Sequence, residues 1–362
     1  MRASFLSVSL LLLLGLAAGC GSDADSATSG LLLPITRWQT LSYSAPQLQG
    51  FADVRFASAQ VGWAIGGYAS DAASVYQPTL LSTRNGGDTW QQLPLRPLSP
   101  NGVRAISPVS EQLVYAVGSD PAALAVGAPP TPSGGQVVFK STNGGGSWQP
   151  LPGAGYAGSF HLHFSSEQTG LSFKNNIIQR TTDGGASWTT VSAPAVGDWR
   201  LVEFPAAAVG YVGGGSLSSG VAGGIFSRGA LAKTTDQGAN WQVLPWPHQY
   251  IQSLSFVSPA VGFAATVPER HLYKTRDGGS TWTLINDHLP AASNGHFVDE
   301  QQAYFTEGTA IYYTRDGGLT WQQQFRATPN SQFPATINSL AVPAGPVGFA
   351  VTSDGQVIRG TR

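Results

Sequence analysis

The sequence has little charge and almost no sulfur. Lys, Arg, Asp and Glu together make up 11% of the 362 residues, and the chain has one cysteine and one methionine. A single cysteine excludes a disulfide within the chain. The 19 basic and 20 acidic residues nearly cancel, which argues against binding to nucleic acid, because that requires a basic face. The 42% of hydrophobic residues excludes intrinsic disorder, which needs low hydrophobicity and high net charge.

Only the N-terminus carries a long apolar run, from Phe5 to Ala18. This run is shorter than the roughly 20 residues of a membrane-spanning helix and is typical of a signal peptide. It ends in the letters LAAGC, which resemble the lipobox of bacterial lipoproteins, where the cysteine is acylated. We predict a lipoprotein signal peptide over residues 1–19, then a lipidated Cys20 and a flexible tether over residues 20–35. An ordinary cleavable signal peptide with an incidental cysteine is the alternative.

This reading of the N-terminus also predicts where the protein resides. An acylated Cys20 would anchor an exported protein to a membrane on its periplasmic side. Gly21, rather than Asp, follows the cysteine, which favours the outer membrane.

Glycine, with 45 residues, and proline, with 24, are abundant, as is typical of short strands joined by many turns. One motif, Ser/Thr-x-Asp/Asn-x-Gly-x-x-Trp, recurs at intervals of about 40 residues with two longer gaps. This period is the length of four short strands, or one propeller blade. The copies are Ser82–Trp90, Ser141–Trp148, Thr181–Trp188, Thr234–Trp241, Thr275–Trp282 and Thr314–Trp321, with a worn copy at Thr352–Gly355.

Each unit predicts four strands, named A to D from the central channel outward. A is apolar, B reads Val-Gly-aromatic, C enters the motif and D leaves it. The last unit ends with a C strand at Gln356–Arg359, whereas Thr36–Leu41 has the pattern of a D strand with no A, B or C before it. We therefore predict an all-β, seven-bladed β-propeller over residues 36–362, closed by pairing of the N-terminal strand with the C-terminal blade.

The motif residues are predicted to be structural. The Asp or Asn side chain can accept hydrogen bonds from backbone N–H groups of its own turn, and the tryptophan buries a large apolar area between blades. No copy has the alternating acidic residues of a calcium loop, and we predict no metal and no cofactor. The structural residues are Asn85, Trp90, Asn143, Trp148, Asp183, Trp188, Asp236, Trp241, Asp277, Trp282, Asp316 and Trp321.

The motif resembles the Asp-box, or bacterial neuraminidase repeat. A single propeller of this length with Val-Gly-aromatic strands is similar to the photosystem II stability/assembly factor family, and the resemblance covers residues 36–362. That family includes exported and lipidated members, and its photosystem members are non-enzymatic and act through a basic surface. The resemblance therefore implies a binding or assembly scaffold. In this chain, basic residues precede the motif at Lys140, Arg180, Lys233 and Lys274.

Sialidases share the Asp-box, so a glycan-binding or glycan-cleaving propeller is the alternative function. The Arg-Ile-Pro that usually begins a sialidase does not occur in the sequence. Two carboxylates across a cleft would also cleave a glycoside, and Asp198, Glu269 and Asp287 are candidates that the sequence does not pair. We predict that the protein is not an enzyme.

The position before the apolar anchor of each A strand is expected to lie near the central channel. It is ionisable in four blades and reads Arg55, Ala105, His163, Glu203, Ser255, His296 and Ala341 around the ring. A water-filled channel tolerates such side chains, so they are either plain channel lining or a site. His161 and His163 share one face of a strand, but no third ligand lies nearby in the sequence, and we predict no metal there.

Three blades have long B–C connections, at Gly67–Pro78, Gly118–Gly135 and Gly213–Gly229. Because the strands alternate in direction, the B–C and D–A loops share one face, and the Asp-boxes lie on the other. Variable loops on a rigid scaffold often carry binding sites, with aromatic and arginine hot spots. We predict a monomer that binds an envelope or membrane protein, not nucleic acid, through Tyr156, Arg228, Trp246, His248 and Tyr250.

Overall fold

The computed structural model describes residues 34–41, 50–70, 75–95, 103–119, 133, 135–159, 161–191, 198–219, 225–329, 335–343 and 347–362. Leu33–Arg362 cluster as one compact unit. The predicted signal peptide, Cys20 and most of the predicted tether lie outside the described residues. Within these ranges, no helix has the length and apolar character needed to cross a membrane.

The described strands form seven antiparallel four-stranded sheets, which we number as blades 1 to 7. The first strand, β1 (Arg37–Leu41), belongs to blade 7. Blade 1 has β2 (Gly50–Phe56), β3 (Gly62–Ser70), β4 (Val75–Thr83) and β5 (Gln91–Gln92). Blade 2 has β6 (Ala105–Pro108), β7 (Val114–Ser119), β8 (Gln136–Ser141) and β9 (Gln149–Pro150). Blade 3 has β10 (His161–Phe164), β11 (Gly170–Lys174), β12 (Ile177–Thr181) and β13 (Thr189–Val191).

The remaining blades follow the same order. Blade 4 has β14 (Asp198–Glu203), β15 (Gly210–Ser219), β16 (Ile225–Thr234) and β17 (Gln242–Val243). Blade 5 has β18 (Tyr250–Phe256), β19 (Gly262–Val267), β20 (Leu272–Thr275) and β21 (Thr283–Asn286). Blade 6 has β22 (Ser293–Phe297), β23 (Ala303–Glu307), β24 (Ala310–Thr314) and β25 (Gln322–Arg326). Blade 7 has β26 (Ile337–Ala341), β27 (Val347–Thr352), β28 (Val357–Thr361) and β1.

The N-terminal strand closes the ring, as predicted. β1 pairs antiparallel with β28 in the register Arg37↔Thr361 to Leu41↔Val357. Blade 7 is therefore built from both ends of the chain, which leaves no dangling edge in the last sheet. Trp38, at 8% exposure, packs against blade 6, where its indole N–H donates to Gln324 Oε1 at 3.0 Å.

The Val-Gly-aromatic pattern of the B strands has a packing cause. The aromatic ring stacks face to face on a phenylalanine at the end of the next A strand, as in Tyr211 on Phe256, with ring centroids 3.5 Å apart. That phenylalanine lies directly over the glycine of its own B strand, so that a Cβ on Gly262 would fall 2.5 Å from the Phe256 ring. At Gly262 the absence of a Cβ leaves room for this layer, which joins the blade to its neighbour.

The A strands are innermost, and in most places the A strands of neighbouring blades contact each other, as β18 and β22 do. Small polar side chains link them, as where Ser107 Oγ accepts from Phe164 N at 2.8 Å. The strand registers also correct one predicted equivalence. Ser107 pairs with Tyr115 just as Arg55 pairs with Trp63, so Ser107 and not Ala105 is the blade 2 counterpart of Arg55. Pro108, not the apolar Ile106, occupies the place of the phenylalanine anchor in blade 2.

Candidate functional site

The Asp or Asn side chain of each Asp-box forms hydrogen bonds within its own turn. In blade 3, Asp183 Oδ1 accepts from Thr181 Oγ1 at 2.7 Å and from Ser187 N at 2.9 Å, while Thr181 Oγ1 accepts from Gly185 N at 2.9 Å. Hydrogen bonds from Ser187 and Thr181 lower the pKa of Asp183 to about 2. Gly185 has a φ of 92°, which favours glycine. The carboxylate is thus occupied by its own turn rather than presented to a ligand.

The other boxes repeat this arrangement. The same side-chain oxygen accepts from the residue before the tryptophan at Asn85, Asn143, Asp236, Asp277 and Asp316. The tryptophans pack between blades. Trp148, Trp188 and Trp241 are buried, and Trp90, Trp282 and Trp321 are half-buried.

The basic residues that precede the boxes contact the next blade. Lys140 Nζ lies 2.7 Å from Glu167 Oε1, and Lys274 Nζ lies 3.0 Å from Glu300 Oε2. Arg180 donates to the carbonyl of Gln237 at 3.1 Å. These residues join blades, and this use of their charge explains why they do not form a free basic surface.

The predicted aromatic hot spots occupy a different place from the one expected. Tyr156, Trp246 and Tyr250 are between 5% and 9% exposed, which corrects their assignment to an exposed binding surface. The Trp246 indole N–H donates to Gln249 O at 2.8 Å, and its ring packs edge-on against Trp282 at 5.1 Å. D–A loops have no strand periodicity from which to read this burial. Such large apolar rings fill the space between blades because exposing them would cost free energy.

Two of the five predicted residues keep an accessible position. His248 is partly exposed and stacks on Tyr273, with ring centroids 4.1 Å apart. Arg228 is exposed and, within the described part of the chain, forms no ion pair. It borders a cavity of about 350 Å³ that Ser216, Val243 and Trp246 also line. Arg228 is therefore the member of the predicted set that is best placed to meet a partner.

The channel holds a polar cluster that begins in blade 1. Arg55 Nε donates to Asp53 Oδ2 at 2.8 Å, and Asp53 Oδ1 accepts from Ser339 Oγ of blade 7 at 2.7 Å. The Asp53 carboxylate raises the pKa of Arg55. Asp53 was not predicted, because a bulge between Phe51 and Asp53 interrupts the alternation of the strand.

Arg55, His163, Glu203 and His296 lie at one level of the channel. Each of the four pairs with a B-strand residue of its own blade. That B-strand residue comes directly after the glycine of the Val-Gly-aromatic pattern, or after the residue that replaces this glycine. Burial lowers the pKa values of His163 and His296 to about 4, so both imidazoles are neutral at pH 7. Burial raises the pKa of Glu203 to about 7, and the Arg55 charge opposes this rise. Glu203 therefore titrates near neutral pH.

The Glu203 shift predicts a pH-dependent stability. The pKa of Glu203 is higher in the folded protein than the ordinary 4.5, so the folded protein binds this proton more tightly than the unfolded chain. The contribution of Glu203 to the free energy of unfolding is therefore complete below about pH 4.5 and is lost as the pH rises through about 7. We expect Glu203→Gln to raise the free energy of unfolding at pH 8 by about 1–3 kcal/mol and to change it little at pH 4.5. Melting temperatures across this pH range measure the effect, with the exposed Glu269→Gln as control. Parallel curves for wild type and Glu203→Gln would contradict the prediction.

The carboxylates of the hydrolase alternative lie in three different elements of blades 4 and 5. Asp198 begins β14 and pairs with Arg200 at 3.6 Å. Glu269 lies in the B–C turn of blade 5 and bonds to Gln249. Asp287 follows β21, and its Oδ1 lies 2.7 Å from His288 Nδ1. Across the described ranges, no group of three or more His, Cys, Asp or Glu side chains is arranged to hold a metal ion.

These features define a class of protein, the seven-bladed β-propeller built on Asp-box repeats. The family model of the BNR/Asp-box repeat matches residues 312–323, the copy in blade 6. Comparison with curated proteins finds no match to the chain.

Solved structures share the fold of the whole ring, and the predicted resemblance to photosystem II assembly factors is confirmed at that level. YCF48 bound to a D1 peptide has 17% identity and a TM-score of 0.63, with 90% of this chain and 97% of that chain covered. YCF48 from Cyanidioschyzon merolae has 15% identity and a TM-score of 0.63, with 90% and 98% covered. The GH74 xyloglucanase from Xanthomonas campestris has 18% identity and a TM-score of 0.54, with 84% of this chain and 51% of that chain covered. The chain thus spans about half the length of that enzyme.

Proposed function

We propose that this protein is a non-catalytic scaffold of the cell envelope that binds a segment of another protein. The observation that carries the proposal is the fold shared along 90% of the chain with YCF48, which was solved bound to a D1 peptide. The Asp-box carboxylates agree with this role, since their own turns occupy them. The likeness is one of fold, at 17% identity.

The proposed binding face carries the B–C and D–A loops. On this face the hairpin of β15 and β16 extends beyond the short β17, which pairs only with Ala232 and Lys233. Arg228 lies on the extended part and borders the cavity of about 350 Å³. An exposed arginine beside a cavity is a common anchor in protein interfaces.

A co-purification experiment tests both the scaffold and its face. Purified protein is incubated with solubilised membranes, and the retained proteins are identified. We expect Arg228→Glu to lower recovery of the partner about tenfold or more, because loss of a hot-spot arginine costs about 2 kcal/mol or more and about 1.4 kcal/mol is a tenfold change in affinity. Arg276→Glu is the control on the opposite face, since Arg276 is a 67% exposed arginine within an Asp-box, where it pairs with Glu300 at 3.0 Å.

Two outcomes would contradict the proposal. Recovery of no protein above background would oppose a binding scaffold. Equal loss with both variants, or loss with Arg276→Glu alone, would oppose the assigned face. The double variant Trp246→Ala/Tyr250→Ala is unsuited to this test, because both side chains are buried and their loss would destabilise blades 4 and 5.

The envelope location rests on the N-terminal sequence. We expect Cys20→Ser to abolish acyl labelling and to release the protein from the membrane fraction, because the thiol is the predicted acylation site. Ser22→Ala is the matched control, and the melting temperature of the propeller should be the same in both. Membrane association and labelling that persist in Cys20→Ser would disprove lipid anchoring.

The glycan alternative separates from the scaffold in a direct assay. The same purified protein is offered β-glucan, xyloglucan and sialyl substrates. Turnover that disappears with Glu269→Gln or Asp287→Asn would replace the scaffold proposal with a hydrolase.

A further inference from the structure

Three side chains in the channel have hydrogen-bonding capacity that no described residue uses. Asp53 engages only the Nε of Arg55, at 2.8 Å, so the two η nitrogens of the guanidinium remain available. His163 Nε2 is buried without a hydrogen-bond partner. Glu203 forms no hydrogen bond or ion pair with any residue in the described ranges. Buried polar groups are nearly always paired, so the unpaired His163 Nε2 indicates a ligand or ordered water beside it.

The three groups occupy equivalent positions around the ring. Arg55, His163 and Glu203 hold the same register position on the A strands of blades 1, 3 and 4. In blade 2, between them, Ser107 Oγ already accepts a backbone N–H from Phe164. The Arg55 charge acts on both His163 and Glu203, and yet Glu203 forms no ion pair with it. The Arg55 side chain is 55% exposed, so its guanidinium can be reached from solvent.

We propose that Arg55, His163 and Glu203 bind a small carboxylate ligand in the channel. The two η nitrogens of an arginine present parallel N–H donors that match the two oxygens of a carboxylate. A protonated Glu203 donates an O–H, and a neutral His163 donates one ring N–H. A ligand that accepts hydrogen bonds and carries a negative charge satisfies all three donors. This site is independent of the loop face proposed above.

Binding is coupled to protonation of Glu203, because an ionised Glu203 would repel the ligand. The other titratable groups on the lining strands do not compete for this role. Burial lowers the pKa of His161 and lowers that of His296 to about 4, which disfavours the charged form of both imidazoles. Asp198 and Arg200 pair with each other at 3.6 Å. Asp53 is held by Arg55 and Ser339.

The test titrates the purified full-length chain with sodium acetate and follows histidine ring resonances by NMR. We expect a saturable shift of the His163 resonance, assigned with His163→Gln, and about tenfold or more weaker binding at about pH 8.5 than at about pH 6. Arg55→Gln should weaken binding at least tenfold at both pH values, and Arg55→Lys should weaken it severalfold if Arg55→Gln does not fold. Glu203→Gln should bind equally at both pH values, because glutamine remains a neutral donor.

Arg200→Gln is the matched control and should bind acetate like the wild type. Sodium chloride at equal concentration should produce no saturable shift. The proposal is wrong if acetate gives no saturable shift at about pH 6, if chloride reproduces it, or if the pH dependence persists in Glu203→Gln.

Discussion

Deleting residues 34–41 will unfold the whole ring rather than one blade. The deletion removes the ladder that joins β1 to β28 over five residue pairs. It also removes Ile35 and Trp38, which are 2% and 8% exposed. Loss of the tryptophan side chain alone typically costs about 3–5 kcal/mol, and an open strand edge then favours aggregation. We expect the deleted chain to be unfolded near room temperature, so that circular dichroism shows no cooperative melting transition.

A complementation experiment provides the control for this deletion. A synthetic peptide with the sequence of residues 34–41 should restore the melting transition of the deleted chain, because it supplies the missing D strand. A peptide with the same residues in scrambled order should not. A deleted chain that melts at the wild-type temperature without peptide would disprove ring closure as a determinant of stability.

Trp188→Ala should lower the free energy of unfolding by about 3–5 kcal/mol, the usual cost of a large-to-small change in a core. Trp188 is 4% exposed. Its ring packs edge-on against Phe164 at 5.9 Å and lies 5.3 Å from Tyr156, so that its removal leaves a cavity between blades 2 and 3. Urea denaturation measures the loss. The control is Leu319→Ala in another Asp-box, where the side chain is 60% exposed and a change within about 0.5 kcal/mol is expected. A Trp188→Ala loss below about 1 kcal/mol would contradict the packing role.

The number of blades and the closure of the ring were predictable because their causes are local in the chain. Each Asp-box makes its hydrogen bonds within seven residues, as from Thr181 to Ser187, so one copy of the motif marks one C–D turn. The number of motif copies therefore gives the number of blades. The N-terminal strand was recognisable because it has the D pattern although no A, B or C strand precedes it. The last blade, in turn, has A, B and C strands but no D strand of its own.

The burial of Tyr156, Trp246 and Tyr250 was decided by tertiary structure. These residues lie in or beside D–A connections, where no period of two or of 3.6 separates inside from outside. Trp246 is covered by Tyr273 and Trp282 of the following blade. Their positions relative to the loop depend on how the two blades pack.

By itself, the sequence determined the seven-bladed Asp-box architecture and the strand that closes it, because repeated local motifs specify both. Only the tertiary structure decided the chemistry of the channel. Arg55 and Glu203 are 148 residues apart in the numbering, and they interact because blades 1 and 4 curve round to the same axis. The pKa of Glu203 near 7 is a property of that enclosure, since burial disfavours a charge in proportion to the water that the surrounding strands exclude.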